Sequence, residues 1–292
     1  MSAPVGLPAM LDDAARRRLI LSDRWIGYPL AAGTVARIVE LLRRPRVSRM
    51  RSLLVHGDSG MGKTLIRLKI ERDFPAGFPV APEEAPRPLV SLQMPARPDE
   101  RRFFAHLLDA LGAPPRPRDT LHQVEIAAIK LLRHLRPAAF LLDEFQHLGA
   151  ASARDAQAML NLIKFLANDL AAPVIGFGTD AALHVIKTDR QLDSRFLKHP
   201  LPLWRDTPDF ADLVASILAA MPLRDTGGGV DRKLVRTVLQ HSGGVTGEVF
   251  HLLVTAAHDA VGAAERVTAE AVEAVARGAW RDTGHDRRRE IA

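Results

Sequence analysis

The octapeptide Gly57-Asp58-Ser59-Gly60-Met61-Gly62-Lys63-Thr64 constrains this chain more than any other stretch. It fits G-x-x-x-x-G-K-[ST], the Walker A phosphate loop, and it stands between an apolar strand-like run and a helical one. Glycines permit a tight turn whose backbone N–H groups point inward at an anion, and the helix that follows adds its positive N-terminal end. With glycine at about 7% of average usage, a chance match in a chain of this length is on the order of one in a hundred before any flanking context is required. The pattern predicts a nucleotide site lined by Gly57, Asp58, Ser59, Gly60, Met61 and Gly62. In it Lys63 reaches the β- and γ-phosphates and Thr64 ligates Mg²⁺.

A second motif completes the first. Phe140-Leu141-Leu142 is an apolar strand that ends in Asp143 and Glu144, and in a parallel sheet ligand chemistry gathers at the carboxyl ends of the strands. Asp143 is expected to hold Mg²⁺ and Glu144 to orient and polarise the water that attacks the γ-phosphate (Walker B). The run Val174–Gly178 ends in Thr179 and Asp180; Thr179 is the candidate γ-phosphate sensor and Asp180 a candidate N-cap of the next helix. Arg195, in Gln191-Leu192-Asp193-Ser194-Arg195-Phe196, is a candidate arginine finger acting on a neighbouring subunit's nucleotide.

Between Ser52 and Trp204 short apolar runs alternate with helical patterns, as in a parallel sheet with crossover helices. The predicted strands are Ser52–His56, Leu89–Met94, Ala138–Leu142, Val174–Gly178 and Pro200–Trp204. The helix before the third strand carries a capping box, Thr120 with Gln123, and ends at Pro137. Phe103, Leu107, Leu108 and Leu111 form an apolar stripe that belongs to the core. After Trp204 the period becomes helical, with segments at Pro208–Ala220 (Thr207 as N-cap), Asp231–His241, Gly247–Val261 and Ala269–Arg277. Gly227, Gly228 and Gly229 mark a flexible connection, and Pro82, Pro86 and Pro88 loosen an earlier loop. The expected domains are a lead-in over 1–50, an α/β core over 51–205, a helical part over 206–280 and a basic tail over 281–292.

Composition narrows the remaining chemistry. The chain of 292 residues is 47% hydrophobic, enough for a substantial core, and its net charge of +6 favours polyanionic partners. It has no cysteine, which excludes disulfides, zinc-thiolate sites and thiol catalysis. No secretory signal or membrane-spanning run is recognised, and a cytoplasmic setting is expected. Arg43, Arg44, Arg46, Arg49 and Arg51 crowd the approach to the first strand, either as a solvated linker or as phosphate contacts. His147 is expected on a helix surface rather than at a metal. No Ser-His-Asp arrangement stands out.

With these residues in view the chain resembles the TniB family, AAA+ ATPases of transposons that carry a DDE transposase. Three flanks carry the resemblance: Asp23-Arg24-Trp25-Ile26-Gly27-Tyr28-Pro29, the stretch Arg43–Met50, and Ser242-Gly243-Gly244-Val245-Thr246-Gly247-Glu248. It implies an AAA+ core with five parallel strands in the order 5-1-4-3-2, a C-terminal α-helical lid, and ATP with Mg²⁺ as cofactors. It also implies ATP-dependent homo-oligomers, rings or filaments, on double-stranded DNA that recruit a DDE transposase. Many AAA+ proteins place a sensor arginine where this chain has Gly247 and Glu248, and that departure predicts slow, assembly-dependent hydrolysis. In related transposition ATPases DNA is met by the segment after the second strand and the loop after its helix. Here those are Met94–Arg102, with Arg97, Arg101 and Arg102, and Pro114–Thr120, with Arg116 and Arg118; prolines hold both in shapes suited to tracking phosphates. One Tyr and three Trp argue against a base-stacking platform. Two alternatives stand beside this expectation: a helicase-loader-like or initiator-like ATPase, and a nucleotide-switched protein scaffold that does not touch DNA.

Overall fold

The computed structural model of the protein describes residues 11–22, 25–47, 49–79, 85–225 and 230–283. Asp23 and Arg24 of the lead-in, Pro82, the triplet Gly227–Gly229 and residues 284–292 of the expected tail lie outside them. The chain divides into two compact units, Ala32–Leu201 and the described residues of Met1–Ala31 with Pro202–Ala292.

The first unit is built on five parallel strands: β1 (Ser52–His56), β2 (Leu89–Gln93), β3 (Ala139–Asp143), β4 (Val174–Gly178) and β5 (Phe196–Pro200). Their order is β2-β3-β4-β1-β5, the expected 5-1-4-3-2 read from the other edge. Every residue of β1, β3 and β4 is buried, which is why these strands read as unbroken apolar runs rather than as alternation. Register aligns their ends: Gln93 pairs with Asp143, and His56 with both Gly178 and Pro200.

The fifth strand was expected at Pro200–Trp204 and lies four residues earlier, with Phe196 opposite Ser52. Prolines 200 and 202 have no N–H to give a ladder; between them the Leu201 N–H still donates to the His56 carbonyl at 2.6 Å, and the regular pairing stops there. Leu201 and Trp204 are nevertheless buried, and that burial produced the misleading apolar pattern.

Helices pack on both sides of the chain's parallel connections. α1 (Asp13–Leu21) and α2 (Pro29–Leu42) precede β1 in the chain and α3 (Lys63–Asp73) follows it; α4 (Glu100–Ala110) and α5 (Leu121–Leu135) connect β2 to β3. Phe103, Leu107 and Leu108 on α4 and Val124, Ala128 and Leu132 on α5 join Phe140 and Leu142 of β3 in one core. Each large side chain so buried contributes about 1.5–3 kcal/mol. The capping box at the start of α5 forms as the sequence predicts, with Thr120 and Gln123 each bonded to the other's backbone. After β3 come a 3-10 turn (Phe145–Ala150) and α6 (Ala153–Asp169); α7 (Ala181–Lys187) and α8 (Arg190–Arg195) link β4 to β5. Arg46 caps α6 and fastens the chain beyond α5: its guanidinium donates to the carbonyls of Leu170, the C-cap of α6, and Ala171, and to those of Pro137 and Ala138 just ahead of β3. It is thus neither a solvated linker residue nor placed to meet phosphate.

The second unit holds helices at Asp13–Leu21, Pro208–Ala219, Arg232–Ser242, Thr246–Ala260 and Ala269–Thr283. Asp231 caps its helix through the Leu234 N–H. Thr207 occupies an N-cap position without making the side-chain bond. Its hydroxyl reaches the Arg205 carbonyl instead. Gly244, at φ 77°, lies so close to Trp204 that a Cβ would stand 2.4 Å from the Trp204 carbonyl oxygen. That close approach explains Gly244, whereas Gly243 ends the preceding helix in left-handed backbone at φ 58°. Arg16, fully buried, is held by Glu265 at 2.6 Å and Asp13 at 2.6 Å. No helix among the described residues is long and apolar enough to cross a membrane.

Candidate nucleotide site and its surroundings

Residues 57–62 turn sharply between β1 and α3. Gly60 (φ 80°) and Gly62 (φ 83°) adopt left-handed backbone. A Cβ on Gly57 would stand 2.4 Å from the Leu201 carbonyl oxygen, so this position admits only glycine. Asp58, Ser59 and Gly60 are exposed, whereas the Met61 side chain is buried; Met61 has only its backbone to offer an anion. The Lys63 ammonium sits inside the loop, donating to the carbonyls of Gly57 (2.8 Å) and Asp58 (2.7 Å). Burial lowers its pKa from the usual lysine value, while the nearby carboxylates of Glu144 and Asp143 oppose that shift.

β3 delivers Asp143 beside the start of α3. The Thr64 hydroxyl donates to Asp143 Oδ2 at 2.9 Å, and the Arg67 Nε–H donates to the same oxygen at 3.1 Å. Arg67 is anchored in turn by Glu71 (2.5 Å) and Ser91 of β2 (2.8 Å). Hydroxyl and carboxylate oxygens are the hard donors that suit Mg²⁺, which takes one or two carboxylates and leaves much of its shell to phosphates and water. Among the described residues no three His, Cys, Asp or Glu side chains converge to hold a metal by themselves. The residues present therefore fit a metal bound together with nucleotide.

Glu144 follows in left-handed backbone, φ 54°, a state that costs a non-glycine residue about 1–2 kcal/mol. The twist starts the 3-10 turn and aims the carboxylate across the strand ends. There Gln146 Nε2 donates to Glu144 Oε2 at 2.5 Å, and Gln146 Oε1 accepts the Thr179 N–H at 3.1 Å. The base candidate and the sensor candidate are thus joined through one carboxamide. Asp180 leaves the helix after it without a side-chain cap. It pairs with His56, the last residue of β1, at 2.8 Å, where the partner lies far off in sequence. His147 is half-buried rather than on a helix surface; its Nδ1 lies 3.0 Å from the Met94 carbonyl oxygen.

The two arginine segments lie together. Arg101 donates to the Asp119 carbonyl at 2.9 Å, and Arg102 donates to the Arg97 carbonyl at 3.0 Å and pairs with Asp99 at 3.1 Å. Arg97, Arg116 and Arg118 are exposed. The five arginines of these segments face Asp99, Glu100 and Asp119, a locally positive balance. Arg195 is elsewhere: it ends α8 just before Phe196, which pairs with the first residue of β1, and donates to Asn168 at 2.9 Å. The length of β1, roughly 15 Å at the usual rise, separates it from the loop of its own chain.

Sequence reading missed Arg67, Gln146 and the place of His147. Arg67 lies three residues beyond Thr64 on one helical face, and Gln146 and His147 follow the paired carboxylates directly; that spacing was the available signal.

Solved structures with this fold include Aeropyrum pernix ORC2 (TM-score 0.65, 16% identity, covering 90% of this chain and 71% of that one). Aeropyrum pernix ORC1 in complex with DNA gives TM-score 0.61 at 20% identity, with 90% and 68% covered. Drosophila ORC bound to DNA gives 0.61 at 16% identity, with 94% and 68% covered. Likeness at these identities shows the fold. No curated protein matches the chain significantly. A family model described as "Bacterial TniB protein" matches residues 16–206, more than half of the sequence, and the chain belongs to the TniB family.

Proposed function

We propose that this protein is an ATP-dependent DNA-binding regulator of transposition, which oligomerises on double-stranded DNA and recruits a DDE transposase. The family match carries the reading. The phosphate loop, the Thr64–Asp143 pair and the arginine segments beside β2 support it. Thr64 and Asp143 would hold Mg²⁺, which neutralises charge on the β- and γ-phosphates. Lys63 binds the same phosphates. Glu144 takes a proton from the attacking water as the water's oxygen bonds to the γ-phosphorus and ADP leaves, and Thr179 orients that water. Arg97, Arg101, Arg102, Arg116 and Arg118 meet the DNA backbone. Arg195 serves the nucleotide of a neighbouring copy, because its own lies at the far end of the sheet. Nucleotide at Gly57–Thr64 then acts as the joint and timer of the assembly, and slow hydrolysis releases it.

The test is electron microscopy of the protein with duplex DNA and a slowly hydrolysed ATP analogue, repeated with Lys63→Ala. Rings or filaments that need nucleotide and vanish in the variant are expected. Monomers under every condition would overturn the reading.

A further inference from the structure

The 3-10 turn after β3 is fastened to the root of the arginine segment. Its backbone closes on itself, the His147 N–H donating to the Glu144 carbonyl at 2.9 Å. The His147 ring then reaches outward to the Met94 carbonyl oxygen at 3.0 Å. A carbonyl only accepts, so Nδ1 is the protonated nitrogen. Met94 also donates its N–H to the Asp143 carbonyl at 2.9 Å, and it is buried. From Met94 the chain enters Pro95–Arg102. The other ring nitrogen, Nε2, stands 3.7 Å from Glu144 Oε2, too far for a hydrogen bond. The link from loop to base therefore runs through the closed turn, not through the ring's second nitrogen. On the far side of the turn Gln146 holds Glu144 to the Thr179 amide, which occupies one oxygen of the carboxylate and keeps it turned toward β4.

We propose that His147 is a positioning residue that couples the arginine segment to Glu144: DNA seated on Arg97, Arg101 and Arg102 shifts Met94, the turn follows, and Glu144 leaves Gln146 to face the attacking water. Duplex DNA then accelerates ATP turnover. This rests on the reading of those arginines as DNA contacts. A purely structural histidine would lower turnover with and without DNA alike. A coupling histidine changes their ratio.

The experiment compares wild type, His147→Ala and His147→Asn, because the asparagine amide nitrogen occupies the place of Nδ1 and donates to the same carbonyl. Duplex affinity is measured by fluorescence anisotropy with a slowly hydrolysed ATP analogue, and turnover is measured with and without duplex. Wild type is expected to be stimulated about fivefold or more by duplex. His147→Ala binds duplex as wild type does but loses the stimulation, and His147→Asn regains most of it. An alanine variant stimulated like wild type overturns the coupling, as does a wild type that binds duplex without any change in turnover. A wild type that binds no duplex in any nucleotide state overturns the DNA reading itself, and anisotropy alone reports that outcome.

Discussion

Replacing Arg46 with alanine tests how the structure spends its arginines. The guanidinium donates to the carbonyls of Leu170 (3.2 Å) and Ala171 (2.8 Å) past α6, and of Pro137 (2.9 Å) and Ala138 (3.1 Å) past α5. The C-terminus of α6 leaves the Leu170 carbonyl without an intrahelical partner and carries partial negative charge, while the other three carbonyls belong to the chain beyond the two helices. A hydrogen bond from a charged donor contributes about 1.5–3 kcal/mol, and a cation at a helix C-terminus about 0.3–1 kcal/mol. The four bonds share one side chain, and the half-buried Leu170 and Ala171 can turn their carbonyls to water, so the bonds do not add. The expected loss is about 3 kcal/mol. At about 2–4 °C per kcal/mol for a unit of this size, the melting midpoint falls by about 6–12 °C. Thermal and urea unfolding followed by circular dichroism would measure it, with Arg44→Ala as the control. Arg44 makes an exposed pair with Glu40 at 2.7 Å, worth at most about 1 kcal/mol. If Arg46→Ala melts within about 2 °C of Arg44→Ala, the four-carbonyl clamp contributes nothing of the kind argued.

Two further outcomes follow from the geometry. Gly57→Ala places a methyl group 2.4 Å from a backbone oxygen that cannot swing away, so binding of a fluorescent ATP analogue should weaken about tenfold or more while stability drops by only about 1–3 kcal/mol; wild-type affinity would show that the loop yields. The Glu265 carboxyl is held down to about 2, chiefly by hydrogen bonds from Arg16. Its folded pKa lies below its unfolded one, so its stabilisation is complete above about pH 4.5 and is lost as pH falls toward 2, an effect of about 2 kcal/mol after solvent screening. Urea midpoints at pH 7 and pH 3 should differ more for wild type than for Glu265→Gln, and equal differences would refute the role given to the pair.

Signals confined to one segment were legible in the sequence. The glycine pattern at Gly57–Thr64, the capping box at Thr120 and Gln123, and the buried strands Ser52–His56 and Val174–Gly178 each need only local information: a turn, a cap, an apolar run. The fifth strand was not, because it is an edge strand with half its residues facing outward. Phe196-Leu197-Lys198-His199-Pro200 carries less apolar signal than the loop behind it, where Leu201 and Trp204 are buried for other reasons. Long-range partners were also invisible. Asp180 looked like a cap because caps are local, yet its carboxylate goes to His56, 124 residues away. Arg46 looked like one of five solvated cations, and only folding brings the ends of α5 and α6 to it. His147 looked like helix surface because the turn after Glu144 is 3-10 rather than α, which swings the ring toward Met94.

Position on the sheet, more than number, decides what each of these cations can do. At the amino ends of the strands Arg46 is saturated by carbonyls, and Arg195 faces Asn168 at the start of β5. Neither can reach a phosphate bound at the opposite ends. At the carboxyl ends Lys63 lies within the phosphate loop, and Arg67 is committed to Asp143, Glu71 and Ser91. Arg97, Arg116 and Arg118 remain exposed near the end of β2, with Arg101 tying the two segments together through the Asp119 carbonyl. The net charge of +6 is therefore a poor guide to polyanion binding on its own, since Arg46 and Arg67 are committed to partners within the fold. The clustering of these arginines on a segment that starts at Met94, whose N–H donates to the Asp143 carbonyl, and on the loop beside it is the better guide. A surface there can feel a long anionic partner and the nucleotide at once, which a basic patch at the amino ends cannot do.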